Sequence, residues 1–190
     1  MKKLILLFCL FFIYQVGFSQ NAGNKSSEPI KEIIFKFFAW DLIKDQPKPN
    51  EKKYSLVRES IIGNMKKQSI DKNGVKLYLN RYRTSGLFSE SYLNNLRQYF
   101  YEIGKTLESS PKIERSAIVK IDGLSLDIPL QSFEPELILE HYKEGVIKEF
   151  AMISDKCIAQ FFISKNEIKL IFTLSKINDH WAIDYIGYYQ

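Results

Sequence analysis

Cysteine and histidine are scarce in this chain of 190 residues, which has two of each. Cys9 lies in the N-terminal leader described below, so Cys157 has no partner for an internal disulfide. Because Cys157 falls within an apolar strand pattern, we expect it to be a small buried hydrophobe. The sequence has no paired Cys-x-x-Cys and no His-Glu-x-x-His spacing, so it indicates no metal site and no cofactor.

Glycine-dependent catalytic motifs are also missing. The nine glycines form neither a phosphate-cradling loop nor a Gly-x-Ser-x-Gly elbow. This absence excludes the enzyme classes that rely on those motifs and favours a noncatalytic protein.

The net positive charge of this chain is modest. The formal charge is +5, and it becomes +3 when Lys2 and Lys3 are removed, since 25 Lys and Arg then stand against 22 Asp and Glu. A nucleic-acid-binding surface needs basic residues gathered on one face. The composition therefore predicts a solvated surface and no nucleic-acid partner.

The first nineteen residues have the pattern of a signal peptide. Lys2 and Lys3 precede an apolar stretch at residues 4–16, and Gly17-Phe18-Ser19 places small residues at the −3 and −1 positions. A membrane anchor would need about 20 apolar residues, which is more than this stretch provides. We predict cleavage after Ser19, export to the periplasm or beyond, and no membrane span in the mature chain.

Residues 20–27 are polar and are predicted to form a tether, followed by one α+β domain at residues 28–190. Helical spacing predicts a first helix that ends near Lys44, before Pro47 and Pro49. The same argument predicts a second long helix from about Glu90 to Glu108. The apolar positions of the two helices are Ile30, Ile33, Ile34, Phe37, Phe38, Leu93, Leu96, Phe100, Ile103 and Leu107.

The segments between and after these helices have mixed patterns. The spacing of Leu56, Val57, Ile61 and Ile62 suggests a short helix, and residues 75–82 fit either a strand or a helix. Residues 118–130 contain Asp-Gly and a proline, which predicts an irregular hairpin or a loop with short strands.

Four apolar runs near the C-terminus alternate with short polar turns, which predicts an antiparallel meander. The runs are Val146–Ile153, Cys157–Ile163, Ile168–Lys176 and Trp181–Tyr188. In the last run, alternation places Trp181, Ile183 and Tyr185 on the inner face and turns Asp184 outward. Helices first and a sheet last indicate an α+β fold, with helices packed on a curved antiparallel sheet.

Both ends of the mature chain carry a resemblance to a known superfamily. A first helix reading Phe37-Phe38-Ala39-Trp40-Asp41-Leu42 and a last strand reading Trp181-Ala182-Ile183-Asp184-Tyr185-Ile186 resemble exported bacterial domains of unknown function in the nuclear transport factor 2-like superfamily. The resemblance covers about half of the chain and implies a cone with an apolar pocket at its open end. In enzymes of that superfamily the pocket carries an Asp or an Asp and His pair, and no residue here matches those acids.

Aromatic richness without catalytic motifs favours a noncatalytic binding module for a small ligand or a protein partner. The candidate pocket residues are Phe37, Trp40, Asp41, Phe100, His141, Phe161 and Trp181. Two alternatives stay open: a pocket enzyme of the isomerase, dehydratase or hydrolase type using Asp41, His141 or Asp184, and an inhibitor or immunity protein acting on an extracytoplasmic toxin or enzyme. Arg81 and Arg83 are candidates for contacting an anion or a partner's carboxylates.

The predicted signal peptide can be tested directly. The chain expressed in full in a bacterial host should be recovered outside the cytoplasm with Gln20 as its first residue, as N-terminal sequencing or intact mass would report. A matched chain in which Leu6 and Leu7 are changed to Asp should stay in the cytoplasm at full length, because a charged run no longer serves as the apolar region of a signal peptide. Recovery of uncleaved wild-type protein in the cytoplasm would refute the prediction.

Overall fold

The computed structural model of the chain describes residues 27–44 and 54–189, so the predicted signal peptide and the loop at Pro47 and Pro49 lie outside the described residues. The first helix, α1, spans residues 27–43, which confirms the predicted first helix. Its buried stripe contains Ile30, Ile34, Phe37 and Phe38, all at 0% exposure.

The remaining helices and strands form two antiparallel sheets and a helical pair. They are β1 (Val57–Ile62), β2 (Met65–Ile70), α2 (Lys72–Ser85), α3 (Glu90–Ser109), β3 (Ile113–Glu114), α4 (Glu136–Leu139), a 3-10 turn (Tyr142–Glu144), β4 (Val146–Ile153), β5 (Lys156–Ile163), β6 (Ile168–Ile177) and β7 (His180–Tyr188). The sheet orders are β1-β2-β3 and β4-β5-β6-β7. The α+β class is confirmed. No helix among the described residues has the length and apolar character needed to cross a membrane.

The predicted C-terminal meander is confirmed, with each strand ending within about one residue of its predicted bounds. Every inward position of β5 is buried, and Cys157 is among them at 2% exposure. Burial raises the pKa of the Cys157 thiol to about 11. Cys157 is therefore the small buried hydrophobe that the strand pattern predicted.

An aromatic layer joins α1 to the four-stranded sheet. The Phe38 ring lies 5.1 Å from the Phe161 ring on β5, and the Phe37 ring lies 5.8 Å from the Phe172 ring on β6. These tilted and edge-on ring contacts stabilise the layer in addition to the stabilisation that burial of the rings provides. One face of the sheet is therefore covered by α1, and the core lies between them.

The helical pair α2 and α3 is attached to the sheet at β7. The short connection between the two helices runs beside β7, where Ser89 donates to the Ile183 carbonyl at 3.0 Å and Ile183 donates to the Leu87 carbonyl at 2.8 Å. Asp71 caps the start of α2, and Ser89 caps the start of α3. These contacts cover part of the β7 edge.

The predicted short helix at Leu56 to Ile62 is wrong, because Val57–Ile62 forms the strand β1. Its partner β2 follows after a two-residue turn at Gly63 and Asn64, with Gly63 at a φ of 61°. Such a turn favours a hairpin, and Ile61 and Ile62 remain more than half exposed. Residues 75–82, for which strand and helix were both open, belong to α2. Between 118 and 130 the chain is a loop, with one isolated bridge from Asp127 to Ser132.

The predicted inward position of Tyr185 is also wrong. A bulge in β7 inserts one residue, so that Leu174 pairs with Ile183 while Thr173 pairs with Tyr185. Ile186 therefore enters the core at 2% exposure, and Tyr185 turns outward at 47%. On the outer face the Tyr185 ring lies over Gly187, where an added Cβ would come within 2.2 Å of its hydroxyl oxygen.

Two helical glycines should respond to alanine in opposite directions. Alanine in a helix is favoured over glycine by about 1 kcal/mol. At Gly104 of α3 the new methyl would lie 3.5 Å from Ile70, an ordinary contact, whereas at Gly74 of α2 it would lie 1.8 Å from the Ser55 carbonyl oxygen. We expect Gly104→Ala to raise the free energy of unfolding by up to about 1 kcal/mol and Gly74→Ala to lower it by about 1–3 kcal/mol. Urea denaturation measures both, and equal effects would contradict this packing of α2.

Candidate functional site

The aromatic residues proposed from sequence to line a pocket are packed against one another. Phe37 and Phe161 belong to the layer between α1 and the sheet, and the Trp40 ring lies 4.9 Å from the Tyr82 ring. Trp181 is half-buried at the rim of the same core. Phe100 differs, because it also lines a groove between α2 and α3.

Asp41 lies in a buried ion-pair triad at the end of α1. The Lys44 ammonium lies 3.0 Å from Asp41 Oδ1 and 2.5 Å from Asp127 Oδ2. The side chains of Asp41, Lys44 and Asp127 are 0%, 7% and 9% exposed. Asp127 Oδ1 also accepts from the Leu130 amide at 2.9 Å. The triad therefore ties α1 to the loop that follows β3.

The triad sets the ionisation of its neighbours. Burial alone would lower the pKa of Lys44, but Asp41 and Asp127 together outweigh it and raise that pKa above its ordinary 10.5. Burial, with the charges of the same two carboxylates, also raises the pKa of the Tyr92 hydroxyl. Because the folded-state pKa of Lys44 is the higher one, its contribution to stability is complete below pH 10.5 and is lost as the pH rises through the folded value.

His141 and Asp184, the other candidate acid and base groups, have partners elsewhere in the fold. His141 Nδ1 lies 3.3 Å from Glu144 Oε1 in the 3-10 turn. Asp184 lies on the outer face of the sheet, where it accepts a hydrogen bond from Ser175 and lies 3.3 Å from the Lys156 ammonium. Asp41, His141 and Asp184 are thus held by three different sets of residues, and no hydrogen bond between described residues joins them.

The groove between α2 and α3 gathers basic side chains from several elements. Its volume is about 770 Å³. On α2, Lys72, Lys76 and Arg83 share one helical face, and on α3 Arg97 and Lys105 do the same. The charged residues that line the groove are Arg58, Lys72, Lys76, Arg83, Arg97, Lys105 and Glu108. Six cations therefore face one carboxylate inside this groove.

The floor of the groove is apolar. Leu79 and Phe100 close it from below, and Ile70 and Val75 are half-buried along its length. Tyr101 is 57% exposed on the same lining. Apolar contact and positive charge are thus available to one ligand at the same time.

Part of the positive charge is already paired. Glu90 lies 3.2 Å from Arg83 and 3.6 Å from Arg97, so one carboxylate serves two guanidinium groups. Lys105 lies 3.4 Å from Glu102. Among the described residues, Arg58, Lys72 and Lys76 make no ion pair. These three are therefore the cations most available to an incoming anion.

A second groove on the other side of α3 has a balanced lining. Its volume is about 520 Å³, and Lys105 and Lys120 are matched there by Glu102 and Asp122. Balanced charge gives no preference for either sign of ligand, so the groove between α2 and α3 is the stronger candidate site.

Sequence reasoning singled out Arg83 and Phe100 but missed the other cations of the groove. Arg81, its companion in the sequence, instead donates to the Tyr54 hydroxyl at 2.9 Å. The available signal was the spacing of Lys72, Lys76 and Arg83 at i, i+4 and i+11, which becomes meaningful only once residues 72–85 are assigned to a helix.

The chain matches no family model, no curated protein and no solved structure in the comparisons made. Within residues 27–44 and 54–189, no three His, Cys, Asp or Glu side chains gather into a group that could hold a metal ion.

Removing the Lys44 ammonium should destabilise the fold. Lys44→Met leaves two carboxylates in a buried site without their cation, and breaking a buried pair in this way costs about 3–5 kcal/mol. The matched control is Lys36→Met, which removes an exposed pair with Glu32 and should cost less than about 1 kcal/mol. Urea denaturation of both variants checks the expectation, and equal losses would show that the triad is not a stabilising contact.

Proposed function

We propose that this protein is an exported, noncatalytic binding module that holds an acidic segment of a partner protein in the groove between α2 and α3. The single observation that carries the proposal is the convergence of six basic side chains over an apolar floor. Charge complementarity of this kind steers a partner toward the groove and fixes its orientation.

The shape of the groove favours a protein segment. Lys72 and Arg83 are eleven residues apart on α2, so the cations extend over roughly 16 Å at the rise of an α-helix. Carboxylates along one acidic segment can reach several of these cations at once. Apolar side chains of that segment would lie on Ile70 and Val75, as in the binding of an amphipathic helix in a groove.

The lining also argues against a nucleic acid as the ligand. Glu90, Glu102 and Glu108 lie in or beside the groove, and each would repel a phosphate backbone. Phosphate-dominated binding depends on unopposed Lys and Arg. A partner that presents separated carboxylates can avoid these acids.

Export and a cone-like fold belong to the same proposal. The sequence of residues 1–19 supports export, and the placement of α1 on one face of a four-stranded meander supports the nuclear transport factor 2-like arrangement. Two register shifts, between Ile147 and Glu149 and between Thr173 and Leu174, support the curvature that a cone requires, because bulges bend and twist a sheet.

Charge reversal in the groove should weaken binding of an acidic probe. The probe is a fluorescein-labelled amphipathic peptide with glutamate on one face and leucine on the other, and fluorescence anisotropy measures its dissociation constant. We expect Lys72→Glu with Lys76→Glu to weaken binding at least about tenfold, equivalent to about 1.4 kcal/mol. Both side chains are exposed, so the fold should be preserved.

The matched control changes the net charge equally at a distance from the groove. Lys143→Glu with Lys165→Glu alters two exposed lysines on other elements and should change the dissociation constant less than about twofold. Equal losses of affinity in both double variants would show that overall charge accounts for the effect, and this would contradict binding in the groove. Tighter binding of a single-stranded DNA oligonucleotide than of the peptide, with the same dependence on Lys72 and Lys76, would identify a nucleic-acid site instead.

A further inference from the structure

The strand β4 forms an open edge of the four-stranded sheet. Among the described residues it pairs only with β5, whereas β7 at the opposite edge is partly covered by the connection between α2 and α3. The outer side of an edge strand carries backbone amide and carbonyl groups that can pair with another strand. The eight residues of β4 thus offer a template for strand addition.

The side chains of β4 make this edge unusually apolar. Six of its eight residues are apolar, and Val146, Met152 and Ile153 are 49%, 38% and 78% exposed. Edge strands are normally protected by charge, proline or short length. The Lys148 ammonium lies 4.2 Å above the Phe162 ring, on the outer face of the sheet, so it does not cover the edge.

A bulge determines which side chains of β4 share a face. The register passes from the pair Ile147 and Phe161 to the pair Glu149 and Gln160, so Lys148 is the extra residue. Ile147, Phe150 and Met152 lie on the inner face, opposite Phe161, Ala159 and Cys157. Val146, Glu149, Ala151 and Ile153 lie on the outer face.

We propose that β4 pairs antiparallel with β4 of a second copy of this chain, centred on Phe150, so that the two sheets become one sheet of eight strands. In this register Val146 lies opposite Ile153 of the other copy on the outer face. Ile147 lies opposite Met152 on the inner face, and Glu149 lies opposite Ala151. The pairing is closed, because each copy uses the same strand in the same way.

Self-complementarity is what favours a second copy over a foreign strand. Apolar residues meet apolar residues at both ends of β4, and no two like charges are placed opposite each other. The bulge is necessary for this match, since if Lys148 occupied a regular paired position the partner of Val146 would be Ser154, in the turn after β4. Cross-strand apolar pairs of this kind stabilise antiparallel sheets.

Two double variants at the ends of β4 test the register. Val146→Lys with Ile153→Lys places lysine opposite lysine twice in the dimer, whereas Val146→Lys with Ile153→Glu places lysine opposite glutamate twice. Within one chain the two positions are roughly 23 Å apart at the rise of a strand, so neither variant creates an internal ion pair. Both substituted side chains are exposed in the monomer.

Sedimentation equilibrium of the protein as recovered from export measures the association over a wide range of concentration. We expect reversible dimers of the natural chain, a dissociation constant raised by roughly tenfold or more in the lysine–lysine variant, and recovery to within about threefold in the lysine–glutamate variant. Circular dichroism verifies the fold of each. The groove variant with Lys72→Glu and Lys76→Glu should dimerise normally, so this inference is tested separately from the proposed function.

Several results would overturn the inference. A natural chain that is monomeric at every concentration has no self-pairing edge. A dimer that survives lysine at both positions associates through another surface, and a lysine–glutamate variant no better than the lysine–lysine variant excludes the antiparallel register. A monomeric chain whose edge instead binds an added extended peptide would assign β4 to a foreign strand.

Discussion

The contact of α1 with the inner face of the four-stranded sheet is the interaction on which the other features depend. Phe37 and Phe38 meet Phe161 and Phe172 there, all four rings fully buried, and burying each such side chain contributes about 1.5–3 kcal/mol. The helix α2 packs on α1, where the Tyr82 ring lies 4.9 Å from the Trp40 ring, and the connection between α2 and α3 is held to β7 through Ile183. This arrangement leaves the groove between α2 and α3 on the surface, and β4 at the edge of the sheet that no other described strand pairs with.

Charge serves two different purposes in this fold. At the end of α1 the buried ammonium of Lys44 compensates the two buried carboxylates of Asp41 and Asp127. Between α2 and α3 the cations outnumber the acids and remain at the surface. A buried ion needs its partner inside the protein because desolvation is costly, whereas exposed cations keep their hydration and stay available to a partner.

Periodicity predicted the elements whose apolar faces are wide and regular. The first helix, the second long helix and all four C-terminal strands follow from spacing alone, because each buries one continuous stripe. The failures occurred where burial is sparse or where the period is broken. Ile61 and Ile62 of β1 are largely exposed, so their spacing carried no information about a core. The bulge at β7 reversed the facing of Tyr185, since one extra residue shifts the alternation.

By itself the sequence determined the scarcity of cysteine and histidine, the α+β class, and the burial of Cys157. It could not determine the candidate site, because Arg58, Lys72 and Arg97 come from separate elements and meet only when α2, α3 and the small sheet pack together. Nor could it show that Asp41 is neutralised by Lys44 and Asp127, the latter 83 residues away from Lys44. Local spacing records which side chains share a face, and only tertiary packing decides which faces meet and which edge of the sheet stays open.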